Sequence, residues 1–272
     1  MANRFSEQVV WITGGGSGLG KAMAVEFARQ GARVAVSGRR ADRLEEVVGL
    51  IGAVGSMGTA VPCDVTDEDA VESAVRTVVD TFGRIDVVVA NAGYAVSGRI
   101  ESLSTDAWRR QFEVNVLGLV TTVRCALPEL KRSRGRIALI ASVAAFLGVP
   151  ASGAYGASKA AVRSIGETLS AELAGSGVTC TTIHPGFVES EINQVDNTGV
   201  HHPDKTDSRP AALMWTADKA ADVMVRAIHQ RKVEFIFTGH GKFAAFLGMH
   251  MPGLTTRLVS MGEARRKRQL KG

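Results

Sequence analysis

Val9-Val10-Trp11-Ile12-Thr13-Gly14-Gly15-Gly16-Ser17-Gly18-Leu19-Gly20 is the stretch that decides the fold. Val9 to Thr13 is a short, almost wholly apolar run, which reads as a strand buried on both faces. Leu19 to Gln30 continues with a helical pattern. Between them, Gly14, Gly18 and Gly20 permit a tight turn, close approach of the backbone to a pyrophosphate, and close packing of helix on strand. The first amides of the helix are unpaired and carry a partial positive charge, so they suit phosphate oxygens. A glycine-rich turn alone is a weak signal; one that joins a first strand to a first helix is a stronger one. Gly14, Gly16, Ser17, Gly18, Leu19 and Gly20 are therefore candidate dinucleotide-binding residues.

The same alternation continues outward. Strand-like runs at Arg33 to Ser37, Gly58 to Cys63, Ile85 to Ala90, Arg136 to Ala141, Thr179 to Ile183 and Glu234 to Phe237 are separated by helical patterns. These lie at Ala41 to Ile51, Glu68 to Phe82, Ser104 to Leu130 (with an interruption), Ala154 to Ala174 and Asp218 to Gln230. Apolar strands alternating with helices imply a parallel α/β sheet covered on both faces, with right-handed crossovers. No repeat or interdomain linker divides the chain. Residues 1–238 read as one dinucleotide-binding and catalytic domain, and 239–272 as its apolar and basic C-terminal extension. Gly186 to Trp215 is polar, contains Pro203 and Pro210, and lacks periodicity. A loop this long in a compact domain is more often functional than accidental, and the expectation is a lid over the site.

With 272 residues, 45% of them hydrophobic, the chain is long enough for one sizeable core. Cys63, Cys125 and Cys180 are odd in number and lack C-x-x-C spacing, which favours a reduced, cytoplasmic setting and no metal site. The N-terminus shows no apolar signal-peptide segment, and no apolar stretch is long enough to span a bilayer. The net charge of +5 is concentrated in Arg265-Arg266-Lys267-Arg268-Gln269-Leu270-Lys271. A frayed, solvated terminus is the favoured reading of this tail, and no nucleic-acid module accompanies it. For Phe243, Phe246, Leu247, Met249 and Met251, packing on the core, the substrate cleft or a neighbouring subunit is favoured over contact with a membrane surface.

Two further constellations carry chemistry. The second strand ends in Ser37-Gly38-Arg39-Arg40, with no acid before Asp42. An acid here commonly bonds a ribose 2′-hydroxyl, whereas an arginine accommodates a 2′-phosphate. Arg39 offers a planar fork to that phosphate, so NADP(H) is favoured over NAD(H); the competing reading is that both arginines merely open a solvated helix. The second constellation is Tyr155 and Lys159, with Ser142 thirteen residues before the tyrosine. On a helix, positions i and i+4 share a face. An ammonium about 4 Å from the phenol is worth on the order of 4 kcal/mol at an effective dielectric near 20. That would lower the phenol pKa by up to about three units, into reach of proton exchange with an alcohol or carbonyl oxygen.

These elements, in this order, resemble the short-chain dehydrogenase/reductase family over almost the full chain. The resemblance rests on Thr13 to Gly20, Cys63-Asp64-Val65, Asn91-Ala92-Gly93, Val114-Asn115-Val116, Ser142, Tyr155, Lys159 and His184-Pro185-Gly186. It implies a single doubly wound Rossmann-type domain, with a seven-stranded parallel sheet and helices on both faces. It implies that Asn115, Ser142, Tyr155 and Lys159 are catalytic, with Asn115 holding a water that links Lys159 to solvent. It adds Asp64, Val65, Asn91, Ala92, Gly93, Pro185, Gly186, Val188 and Ser190 to the cofactor site, and lets Tyr155 and Lys159 contact the cofactor too. A homodimer or homotetramer built on the helices near 107–131 and 154–174 is also implied. Ala90 and Ser190 depart mildly from the family's commonest residues, an asparagine and a threonine.

The expected activity is hydride transfer between NADP(H) and a carbonyl or secondary alcohol of an apolar small molecule, with Tyr155 as general acid/base. Oxidation with NAD(P)+ and a non-catalytic NADP(H)-binding regulator are the alternatives. Tyr94, Phe146, Val149 and Phe187 are candidates for an apolar substrate pocket. His184 is assigned to packing or backbone bonding, and Trp108 and Trp215 to helix packing, Trp215 with a possible place in the lid.

Overall fold

The computed structural model describes residues 3–202, 204 and 209–269, without the side chains of Arg266, Lys267 and Gln269. Pro203 of the expected lid and Leu270 and Lys271 of the basic tail lie outside the described residues. Seven parallel strands form one sheet in the order β3-β2-β1-β4-β5-β6-β7. They are β1 (Val9–Thr13), β2 (Arg33–Gly38), β3 (Gly58–Pro62), β4 (Val87–Ala90), β5 (Arg136–Ile140), β6 (Thr179–His184) and β7 (Glu234–Ile236). The strand order reverses between β1 and β4, which opens a crevice at their carboxyl ends, where ligands of such sheets bind.

Side chains along a strand alternate between faces, and the two cores follow that alternation. Val10, Ile12, Val34, Val36, Val87 and Val89 face one side, against α1 (Gly18–Arg29), α2 (Ala41–Ala53) and α7 (Ala217–His229). Val9, Trp11, Ala35, Val88, Ile137 and Leu139 face the other, against α3 (Glu68–Phe82), α5 (Gly118–Ser133) and α6 (Gly153–Glu172). Trp11 is fully buried, and its indole N–H donates to Ser37 Oγ at 2.8 Å, so its one polar atom is satisfied.

The interruption expected between 104 and 130 is a single π-helical turn, Glu113–Leu117, between α4 (Thr105–Phe112) and α5. Such turns concentrate at functional sites, and this one carries Asn115.

The extension corrects the sequence reading. Residues beyond β7 form α8 (Gly239–His250) and α9 (Pro252–Gln269), so the tail is helical through Gln269 rather than frayed. Gly241 and Ala245 seat α8 on the body. At Gly248 the backbone is so close that an added Cβ would lie 2.1 Å from Phe146 O. The expected burial of Phe243, Phe246, Met249 and Met251 is not found within the chain; all four are exposed.

Candidate active site

The crevice is a cleft of about 780 Å³ running from β2 and β3 across the glycine turn to β5, α6 and the segment after β6. Gly14 (φ +64°) and Gly18 (φ +50°) adopt the left-handed conformation that favours glycine. A Cβ on Gly20 would lie 2.2 Å from Gly14 O, so α1 and the turn meet only because that position is bare. Asn91 pins the turn from below. Its amide Nδ2 donates to Thr13 O (3.0 Å) and Gly14 O (3.1 Å), and its backbone N–H to Thr13 Oγ1 (3.2 Å). Gly14, Gly16, Ser17, Gly18, Leu19, Gly20, Asn91, Ala92 and Gly93 all line this part of the cleft.

At the β2–β3 end lie Arg39, Arg40, Asp64 and Val65. Asp64 Oδ1 accepts from Thr66 N (3.0 Å) and Thr66 Oγ1 (2.8 Å), which fixes the turn after β3. Arg39 is exposed and reaches Gly199 O at 3.4 Å. Arg40, which the sequence reading left out of the site, points to Ser17 Oγ (3.4 Å) and Glu191 Oε2 (3.2 Å). Two adjacent arginines therefore flank the glycine turn; the signal was present in the doublet Arg39-Arg40.

The opposite end holds Ser142, Tyr155, Lys159, Pro185, Gly186, Val188 and Ser190. Ser142, just past β5, lies beside Tyr155 and lowers its phenol, and its Oγ accepts from Ala144 N at 3.1 Å. Lys159 is buried, and its Nζ donates to Ile140 O at 2.7 Å. Asn115 lies behind this wall rather than on it. Its side chain accepts from Tyr94 N (3.1 Å) and donates to Tyr94 O (3.0 Å) and Ser158 Oγ (3.2 Å), clamping the loop after β4 to α6. Gly93 makes room for it: a Cβ there would be 3.0 Å from Asn115 Oδ1 and 3.7 Å from Lys159 Nζ.

The electrostatics differ from the sequence expectation. Burial raises the Tyr155 phenol above its ordinary pKa, against lowering by the Ser142 hydrogen bond and the Arg209 charge. Lys159 turns toward β5. Its amine is drawn to Ile140 O, 5.9 Å from the Tyr155 ring centre, and burial pushes it down to about 8. The cation acting on the phenol is Arg209, which the sequence reading missed. Arg209 also donates to Val188 O (2.8 Å), Ser190 O (3.2 Å) and Ser190 Oγ (3.4 Å). Nothing in its sequence neighbourhood marks it; the chain fold alone carries it to the cleft.

Described residues of the segment after β6 line the cleft from Gly186 to Arg209. Its tip is tied by a reciprocal pair, Ser97 N to Asn197 Oδ1 (2.9 Å) and Asn197 Nδ2 to Ser97 O (2.8 Å). Its far end is tied by Trp215, whose N–H donates to Phe187 O (3.0 Å) while its O accepts from Glu189 N (2.9 Å). Trp215 thus anchors the end of this segment and packs on Phe237. Trp108 stacks on Phe112, as a helix-packing residue would.

Of the four pocket candidates, Tyr94 alone lines the cleft. Phe146 packs on His184, Phe187 stacks on His240, and Val149 is exposed, because α8 claims the surface beyond β5 and β6. His184 is fully buried, with Nδ1 3.2 Å from Ser142 O, so it serves packing and backbone bonding. Among the described residues no group of three His, Cys, Asp or Glu side chains is placed to hold a metal ion.

Residues 8–200 match the family model described as short chain dehydrogenase. An uncharacterized oxidoreductase of Staphylococcus epidermidis is 31% identical over 231 residues, 85% of this chain and 99% of the relative. One of Staphylococcus aureus is 33% identical over 229 residues, 84% of this chain and 98% of the relative. Among solved structures, an alcohol dehydrogenase from the archaeon Thermococcus sibiricus, complexed with 5-hydroxy-NADP, superposes with a TM-score of 0.74 at 28% identity. The match covers 85% of this chain and 96% of that one. With the parallel sheet, the glycine turn and the Ser142, Tyr155 and Lys159 wall already in place, these likenesses leave one assignment: the chain belongs to the short-chain dehydrogenase/reductase family of oxidoreductases.

Proposed function

We propose that the protein is an NADP(H)-dependent carbonyl reductase or secondary-alcohol dehydrogenase, with Tyr155 as general acid/base. One observation carries the reading: Ser142, Tyr155 and Lys159 share a cleft with a glycine turn flanked by Arg39 and Arg40. The chain fits a dinucleotide. Gly14 and Gly18 have the backbone that lets amides face a pyrophosphate, and the bare Gly20 lets α1 close on the turn so that its N-terminus points into the cleft. Asp64 and Val65 would border the adenine, and Pro185, Gly186, Val188 and Ser190 the nicotinamide; that all six line the cleft supports this. When bound, the nicotinamide supplies or accepts the hydride at the substrate carbon.

The remaining work falls to side chains. Tyr155 gives its phenolic proton to the carbonyl oxygen in reduction and takes one back in oxidation. Ser142 Oγ accepts from Ala144 N, which orients the hydroxyl beside Tyr155, and its proton would turn to the substrate oxygen on which charge develops. Lys159, with a pKa of about 8, exchanges a proton readily near neutral pH and suits the resupply of Tyr155. Val114, Ile192 and Val195 contribute an apolar wall, which supports an apolar substrate.

For the cofactor, two arginines at the end of β2, with the neighbour's 5-hydroxy-NADP, support NADP(H) over NAD(H). A homodimer or homotetramer through α4, α5 and α6 draws support from Leu117 and Val120, exposed apolar residues on that surface.

The test is a ketone panel read by NADPH and NADH absorbance. Tyr155→Phe should keep NADPH binding and lose at least about a hundredfold in turnover. Arg39→Asp should shift the kcat/KM ratio toward NADH by about tenfold or more. Undiminished reduction by purified Tyr155→Phe would remove the proposed acid, and an unmoved cofactor ratio would remove Arg39 from 2′-phosphate recognition.

A further inference from the structure

We propose that the α8–α9 extension docks the protein on an anionic lipid surface. The first observation is apolar exposure where burial was expected. Phe243 and Phe246, on the outward side of α8, are 66% and 54% exposed. Leu258 and Met261 of α9 are 50% and 48% exposed, and Met249, Met251 and Leu254 also face solvent. Scattered exposed apolar residues are ordinary; a run of them on two consecutive helices marks an interaction surface.

The second observation is their arrangement. On α9, Leu254, Leu258, Met261, Arg265 and Arg268 follow the i, i+4, i+7 spacing that keeps residues on one helix face. All five are exposed, while Thr255, Val259 and Glu263 are partly buried on the other side. Glu263 Oε1 accepts from Arg99 Nη1 at 3.3 Å, which fixes that inner side against the body. The outer face is therefore an apolar stripe that runs into an arginine stripe.

The third observation is charge. Residues 239–272 contain seven Lys and Arg and a single acid, Glu263. They carry more than the whole net charge of +5 and leave residues 1–238 slightly acidic. That asymmetry selects the occupant. A second copy of the chain docking through this face would set two strongly cationic extensions together, which is repulsive. Nucleic acid satisfies the arginines and leaves the phenylalanines in water. An anionic bilayer surface satisfies both: apolar side chains enter the headgroup boundary while arginines meet lipid phosphates. No helix among the described residues is long and apolar enough to cross a membrane, so the contact is peripheral.

Co-sedimentation with phosphatidylcholine vesicles, with and without phosphatidylglycerol, tests the proposal on the full chain. The wild type should bind the anionic vesicles, lose binding at high salt, and leave the neutral ones in the supernatant. Arg265→Gln with Arg268→Gln should weaken binding by about 25-fold, about fivefold per charge removed. Phe243→Ser with Phe246→Ser should weaken it by about tenfold or more at unchanged charge. All these side chains are exposed, so melting temperature and solution reductase activity should match the wild type. Absence of binding to anionic vesicles overturns the proposal. So does unchanged binding in the phenylalanine variant, which would mark a purely electrostatic contact of the kind nucleic acid makes. A smaller oligomer in either double variant would assign the face to a second copy and overturn it equally.

Discussion

Lys159→Met in the cofactor-free protein isolates the cost of a buried ammonium. The wild-type amine falls from its ordinary 10.5 to about 8 because burial disfavours its charged form. At 1.36 kcal/mol per pH unit, that difference amounts to roughly 3 kcal/mol. Below about pH 8 folded and unfolded chains both hold the proton, and the full penalty is present. Between about 8 and 10.5 the unfolded chain keeps a proton that the folded chain has released, so wild-type stability rises with pH. Above 10.5 the amine is neutral in both states and the penalty is gone. Methionine removes the charge at similar length but leaves Ile140 O without its 2.7 Å donor, a loss of about 1–3 kcal/mol. At pH 7 the variant should therefore equal the wild type or exceed it by up to about 2 kcal/mol. Near pH 10.5 it should be less stable, by about 1–3 kcal/mol. Urea unfolding at intervals from pH 7 to 10.5, fitted with a common m-value, reads the difference. Wild-type and variant stabilities that run parallel across that window would refute a cation held at a desolvation penalty, and with it the proton-exchange role near neutral pH.

Arg209→Gln removes the positive charge that lowers the Tyr155 phenol, so the basic limb of the reductive pH–rate profile should move to higher pH; a limb that stays in place would put Arg209 out of electrostatic reach. Gly20→Ala places a methyl 2.2 Å from Gly14 O and should abolish binding of NADPH, read by its fluorescence, with a fall in melting temperature. Asn197→Ala breaks both bonds to Ser97 at the lid's tip, so limited proteolysis within residues 186–215 should accelerate several-fold while global stability changes by less than about 1 kcal/mol. Gly166→Ala sets a methyl 2.0 Å from Thr182 Oγ1, between α6 and β6, and should destabilise by about 1–3 kcal/mol in thermal unfolding.

The sheet was legible because each strand is a run buried on both faces, and such runs are continuous in sequence. Val87 to Ala90 needs no partner to be recognised; its neighbours Val10 to Ile12 and Arg136 to Leu139 have the same character. The glycine turn was legible for a related reason: its geometry is local, and Gly14, Gly18 and Gly20 are its only affordable occupants. The α8–α9 pair was not. Helix recognition depends on apolar and charged residues taking opposite faces, whereas Leu254, Leu258, Met261, Arg265 and Arg268 share one. A helix that offers its apolar stripe to something other than its own core defeats the pattern that would reveal it.

The site divides along the same line between local and distant causes. Tyr155 and Lys159 are four residues apart on α6, and their shared place at the cleft follows from helical spacing alone. The sign of the effect between them does not. Lys159 donates to Ile140 O, nineteen residues away across β5, and the phenol answers instead to Arg209, carried in from the far side of the lid. A spacing rule supplies a distance along one helix, whereas a pKa sums burial and every charge that the fold brings near, so the same four-residue interval is compatible with either sign. The segment after β6 therefore bears on the phenol's charge as well as lining the cleft. The backbone at Val188 and Ser190 holds Arg209, whose charge lowers the phenol against the rise that burial imposes.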